Sequence, residues 1–181
     1  MKDFEVKTKI YFGDDALAHL GELKTDRVFI VADPFTVSSG LIEHVLEPLK
    51  KNGIDYSIFS KVVADPPVDV VIAGVKDALA CKGKYIVAVG GGSAMDTSKA
   101  IRKFAGQIDE TYHPELICIP TTSGTGSEVT SFAVISDTEH NTKIPLISDD
   151  MTPEEAILDE VLVKSVPKSI TADTGMDVIT H

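Results

Sequence analysis

Two stretches of small and hydroxylated residues offer chemistry before anything else in the chain does. The first, Tyr85 to Ile101 (YIVAVGGGSAMDTSKAI), sets Gly90, Gly91 and Gly92 between an apolar run and a helical pattern. Glycines let a backbone approach a pyrophosphate with no Cβ in the way, and the first turn of a helix supplies N–H donors and a partial positive charge. The second, Ile119 to Thr130 (IPTTSGTGSEVT), also follows an apolar run, and seven of the eight residues from Thr121 to Glu128 are Thr, Ser or Gly. Hydroxyls and unpaired N–H groups at that density suit an anionic or ribosyl ligand. Each stretch has a plainer reading: Ser93 with Asp96 as a capping box, and the Thr/Ser/Gly run as a surface turn. Two such loops after successive strands point instead to one shared ligand. Neither fits G-x-G-x-x-G or G-x-x-x-x-G-K-[ST], so standard Rossmann and P-loop fingerprints are not supported. Lys99, inside the helical pattern, reads as a structural or solvent-facing partner of Asp96.

Two further groups carry potential chemistry. Asp33 follows the run RVFIVA directly, where a carboxylate can accept from an adenosine ribose and repel a 2′-phosphate; alone, Asp33-Pro34 reads more simply as a turn opener. Asp177 and His181 are four residues apart, so on a helix both project from one face and could chelate a divalent metal such as zinc or ferrous iron. Alone, such a pair reads as a solvated helix surface. His19, His44, His113 and His140 lack partners at ligand spacing and read as surface histidines.

These groups need elements to hold them. Apolar runs at Arg27–Ala32, Ile54–Phe59, Lys84–Val89 and Leu116–Ile119 read as strands. Between them, Leu41–Lys51, Val68–Leu79 and Ser93–Ala105 carry helical spacing, with Pro48 distorting the end of the first. A βαβα rhythm with continuously apolar strands predicts a Rossmann-like α/β fold, a parallel sheet with helices on both faces. After residue 128 the rhythm breaks: residues 129–136 and 142–148 read as a β-hairpin, Ala156–Leu158 as a short strand, and Pro167 onward as a helix. That helix has no stop signal before His181.

Composition narrows the class. The 181 residues carry 17 Lys+Arg against 28 Asp+Glu, a formal net charge of −11, which argues against nucleic acid as a partner. No apolar run approaches the ~20 residues of a membrane helix, and the N-terminus has no signal-peptide core. Cys81 and Cys118 form no disulfide framework, so the expected setting is the cytoplasm.

In this order, VGGGSAMDTSKAI, IPTTSGTGSEVT, AILDEVLV and TADTGMDVITH resemble the iron-containing (group III) alcohol dehydrogenase family. TKIYFGDDAL resembles the family's first strand and turn, so the likeness covers essentially the whole chain. Within the family, TTSGTGSEVTS, AVISD and TGMDVITH most resemble the 1-propanol dehydrogenases of propanediol-utilising bacteria. The resemblance implies an NAD(H)-binding α/β domain over residues 1–166 and, over 167–181, the start of an all-helical metal and substrate domain whose remainder is absent from this chain. It implies that Gly91, Gly92 and Ser93 hold the pyrophosphate, that Thr121, Thr122 and Thr125 line the adenine and nicotinamide side with Ser127 nearby, and that Asp33 selects NAD. Leu162 and Val163 would lie near the cofactor, Lys143 would reach the ribose, and Asp177 and His181 would be two ligands of Fe(II), or of Zn.

The family activity implied is hydride transfer between a short-chain primary alcohol and its aldehyde, with the isolated chain inactive. A homo-oligomer is expected, and a bacterial microcompartment is an alternative setting to open cytoplasm. The other readings are a non-catalytic NAD-binding fragment and a metalloenzyme of the glycerol dehydrogenase or dehydroquinate synthase type. Two departures stand out: Asp65-Pro66-Pro67 has no hydroxyl where the family often has Thr, and Asp159-Glu160-Val161 replaces the usual Asp-Pro-Glu.

Overall fold

A computed structural model describes residues 5–180. The chain runs β1 (Lys9–Phe12), a 3-10 segment (Ala16–Glu22), β2 (Arg27–Ala32), α1 (Pro34–Ser38), α2 (Ile42–Lys51), β3 (Asp55–Phe59), α3 (Val68–Cys81), β4 (Tyr85–Gly90) and α4 (Gly92–Ile108). It continues through β5 (Glu115–Pro120), β6 (Phe132–Asp137), β7 (Thr142–Ile147), β8 (Glu155–Leu158) and α5 (Lys168–Thr180). Six strands form one sheet in the order β1-β8-β5-β4-β2-β3, every pair parallel. β6 and β7 form the expected antiparallel hairpin as a separate two-stranded sheet. The Rossmann-like expectation therefore holds.

Burial explains why the central strands show no polar alternation. Phe29 and Val31 of β2, Ile86 and Ala88 of β4, and Leu116 and Cys118 of β5 point into a core shared with α3, α4 and the hairpin. Their neighbours Val28, Ile30, Val87, Val89, Ile117 and Ile119 point to the other side, against the 3-10 segment and α2. With both faces covered, an apolar side chain is favoured at every position of these strands.

The strand order also locates the crevice. From β2 the chain moves outward to β3, then returns to build β4 on the opposite side of β2 and β5 beyond it. Ligands of open α/β sheets bind at such a reversal, outside the carboxyl ends of the strands. Here the reversal lies between the end of β2, followed by Asp33, and the end of β4, which is Gly90.

Candidate functional site

Asp33 and Gly90 meet at that reversal. Asp33 caps α1: one carboxylate oxygen accepts the Thr36 N–H at 2.8 Å and the other accepts the Thr36 hydroxyl at 2.8 Å. The turn-opening role read from Asp-Pro is thus present. A Cβ on Gly90 would lie 2.5 Å from that second oxygen and 2.8 Å from Ala94 Cβ, and Gly90 has φ +150°, a conformation suited to glycine. The first glycine is therefore required both by its backbone and by its neighbour.

The plainer capping-box reading fails. The N-cap of α4 is Gly91, which has no side-chain cap, and the Asp96 carboxylate turns away from the helix start. Ala94 and Met95 both donate to the Gly91 carbonyl, so Gly92 and Ser93 keep outward N–H groups without a backbone acceptor. A Cβ on Gly92 would stand 2.8 Å from Thr125 Cγ2, and one on Gly91 3.4 Å from the Thr122 hydroxyl. The two loops are therefore in contact across the bare backbone of the glycine turn.

The second loop is fastened at both ends. Thr121, buried, donates its N–H to the Gly90 carbonyl at 2.9 Å. Ser127 donates its hydroxyl to Asp96 at 2.9 Å and accepts from Lys99 Nζ at 2.9 Å. Among the described residues, no backbone donor from 122 to 125 has a hydrogen-bond acceptor. Of the two readings of Lys99 the structural one holds and the solvent-facing one does not: it is fully buried, and its ammonium also donates to the Thr130 hydroxyl at 3.1 Å and the Phe132 carbonyl at 2.8 Å. Burial pushes its pKa down and pushes that of Asp96 up, the latter opposed by the hydrogen bonds from Val134 and Ser127.

α5 closes the far side. A Cβ on Gly124 would lie 2.8 Å from Thr174 Cβ and 3.3 Å from the Asp177 carboxylate, so this glycine admits the helix against the loop. Two clefts flank the loop and share Val178 as a wall. One, of about 530 Å³, includes Phe12, Thr122, Gly124, Glu128 and Val163; the other, of about 570 Å³, includes Gly92, Ser93, Asp96, Thr125 and Thr130.

The remaining expected residues divide. Val163 lines a cleft, whereas Leu162 lies wholly inside the core, so only one of the pair faces the open side. Lys143, on β7, ion-pairs with Asp65 at 2.7 Å and ties the hairpin to the segment before α3. Asp177 stands beside the second loop; His181 lies outside the described residues. Among the described residues, no three His, Cys, Asp or Glu side chains gather to hold a metal. His19 is not simply a surface histidine: its ring stacks on Tyr11 with centroids 3.7 Å apart, and Nε2 pairs with Glu155 at 2.8 Å. The sequence did not reveal the acceptors that anchor Lys99, because they lie 28 to 33 residues away.

The chain has counterparts among known proteins. A sequence profile described as iron-containing alcohol dehydrogenase matches residues 7–160. The 1-propanol dehydrogenase PduQ of Citrobacter freundii is 42% identical over 181 residues, which are 100% of this chain and 48% of that protein. The NADH-dependent butanol dehydrogenase A of Thermotoga maritima superposes with a TM-score of 0.88 at 27% identity, over 100% of this chain and 50% of that one. Sulfoacetaldehyde reductase from Bifidobacterium kashiwanohense, solved with NAD+, gives a TM-score of 0.87 at 31% identity, over 98% of this chain and 51% of that one. The chain thus spans about half the length of each of these three relatives.

Proposed function

The chain belongs to the iron-containing alcohol dehydrogenase family, and from that premise we propose that it is the cofactor-binding part of an NAD-dependent oxidoreductase acting on a short-chain primary alcohol and its aldehyde. The observation that carries this reading is the contact of the two loops at the sheet's reversal, where a Cβ on Gly92 would collide with Thr125 and leave no bare backbone for a phosphate. In this reading the Gly92 and Ser93 N–H groups bind the pyrophosphate, Thr122 and Thr125 orient the dinucleotide across the loop, and Asp33 accepts from the adenosine ribose.

The glycine turn fits a dinucleotide; for a metal, the described donors amount to the Asp177 carboxylate beside Gly124, with His181 as its sequence partner. When bound, the nicotinamide would exchange the hydride and ferrous iron would supply Lewis acidity at the substrate oxygen. Asp177 would help hold that metal, and Val163 and Val178 would keep water from the cleft. We assign residues 1–166 to the dinucleotide-binding domain and 167–181 to the start of a metal and substrate domain. A cytoplasmic or microcompartment homo-oligomer is the setting this reading favours, in line with the likeness to PduQ.

Titration of NADH fluorescence with the 181-residue chain tests the assignment. Saturable binding, released by NAD+ and without aldehyde-dependent oxidation, is expected. Absence of binding to both nucleotides at millimolar concentration overturns it. Metal analysis of the full-length protein then separates iron from zinc.

A further inference from the structure

Lys99 is the most deeply buried cation of the described chain, and the proposed chemistry leaves it unused. Its three ammonium donors have three acceptors: the Ser127 hydroxyl at 2.9 Å, the Thr130 hydroxyl at 3.1 Å and the Phe132 carbonyl at 2.8 Å. Asp96, one helical turn earlier, accepts hydrogen bonds from the Ser127 hydroxyl at 2.9 Å and the Val134 N–H at 2.9 Å. The pair therefore grips three consecutive features: the end of the Thr/Ser/Gly loop, the turn after it and the first strand of the hairpin. No buried side-chain polar atom among the described residues lacks a partner, so this network is complete.

The buried ammonium of Lys99 and the half-buried carboxylate of Asp96 are costly to desolvate, and an apolar pair of similar volume often stabilises a fold equally well or better. Stability alone is thus a poor reason for an ammonium here. What an apolar pair cannot do is fix a hydroxyl, a carbonyl and an N–H from three segments at set positions. The loop it fixes needs that help, because its donors from 122 to 125 have no acceptors of their own. The Ser127 hydroxyl, donating to Asp96 and accepting from Lys99, is also committed within the protein.

We propose that Lys99 is a positioning residue: with Asp96 as counter-charge and Ser127 as the shared hydroxyl, it holds residues 122–126 in the shape that receives the cofactor. Ser127 then acts as the loop's anchor rather than as a direct cofactor ligand. The part of this inference that concerns the cofactor rests on the NAD reading above; the holding of the loop does not.

The test uses Lys99→Met, Ser127→Ala and the double variant, with two readouts. Without nucleotide, amide hydrogen exchange at 122–126 quickens in each single variant while β2 and β4 amides keep their protection. With NADH, each single variant weakens binding by about tenfold or more, the scale expected when binding groups are misplaced by an ångström. The double variant is no weaker than the worse single one, because both break one network. Losses that multiply in the double variant overturn the anchor role and make Ser127 a direct ligand. Unchanged exchange at 122–126, or a uniform rise in exchange with NADH affinity intact, overturns the positioning role. If the parent chain fails to bind NADH while loop exchange quickens in the variants, the NAD reading falls and the loop-holding role stands. Should Lys99→Met not fold, Thr130→Val replaces it, removing one ammonium acceptor and giving a smaller change in the same direction.

Discussion

The two ends of the parallel sheet are built on opposite plans. At the carboxyl end, β4 finishes in glycine, β2 is followed by a capping carboxylate, and the loop after β5 leaves its backbone donors open. At the amino end, charge pairs close the surface: Arg27 with Asp55 at 3.5 Å where β2 and β3 begin, Lys84 with Glu115 at 3.8 Å where β4 and β5 begin, and Lys82 with Asp109 between helix ends. Glu154, just before β8, accepts from the Leu116 N–H at 2.7 Å and pairs with Arg102 at 2.5 Å. One end leaves backbone polar groups open; the other satisfies its own within the protein. Bare backbone serves both plans, left open at the carboxyl end and packed against β2 at Gly83 at the amino end.

The same substitution at the two ends of β4 should break this contrast most sharply. Gly90→Ala forces a side chain onto φ +150° and against Asp33 and Ala94. It should weaken NADH binding by about tenfold or more, a misplacement effect, together with a lowered melting temperature. Gly83→Ala, at the amino end, would bring Cβ to 2.9 Å from the Phe29 nitrogen and the Val28 carbonyl carbon, which are backbone and cannot swing aside. It should cost about 1–3 kcal/mol of stability, the range for overpacking. NADH affinity of the folded chain should stay within about twofold, well under the 1.4 kcal/mol of a tenfold change. Calorimetric melting and NADH titration on both variants read the two effects separately. Equal losses of affinity at both ends would erase the functional distinction between them.

Much of this asymmetry was legible before any coordinates. Most of the strands and helices, and the hairpin, followed from runs of apolar residues and from helical spacing, because burial on two faces writes itself as uninterrupted hydrophobicity; the five-residue α1 did not. The two glycine-bearing loops were legible for the same reason, since each follows a buried strand. What escaped were contacts between distant segments. Asp96 pointed to a helix cap by its spacing from Ser93, yet it serves Val134 and Ser127, and no local rule encodes a partner 38 residues away. For Lys99 the sequence leaves a structural and a solvent-facing role both open; only the fold brings Thr130 and Phe132 to it. The split between Leu162 and Val163 likewise depends on how a short 3-10 turn lies over the core.

Asp33 belongs to both plans at once, as a helix cap and as the proposed ribose acceptor, so its removal sharpens the comparison. Asp33→Ala should lower stability by about 1 kcal/mol through the lost cap. Asp33→Asn keeps a cap acceptor for the Thr36 N–H while removing the negative charge. It should therefore keep most of the stability and narrow the preference for NADH over NADPH. Melting curves and paired NADH and NADPH titrations distinguish the two variants. An unchanged cofactor preference in Asp33→Asn would confine this carboxylate to capping.

The smallest effect is expected at the amino end, where a strong perturbation of one carboxyl should leave the site untouched. Lys82 and, after it, the Thr111 hydroxyl and N–H hold the Asp109 carboxyl well below its ordinary value of 3.8. The folded value lies below the unfolded one, so this pair's contribution is complete above pH 3.8 and is lost as the pH falls through the folded value. Asp109 is exposed, and solvent screens such pairs, so the stability at stake is slight. Lys82→Met should move the Asp109 carboxyl upward toward 3.8 in a carbon-13 NMR titration, with Thr111 still holding it somewhat below. Melting temperature at neutral pH should scarcely move, and NADH affinity should not move at all. A marked loss of NADH binding in Lys82→Met would mean that charge at the closed end is felt at the open one. The sheet would then have to be treated as a single electrostatic unit rather than as two separately built ends.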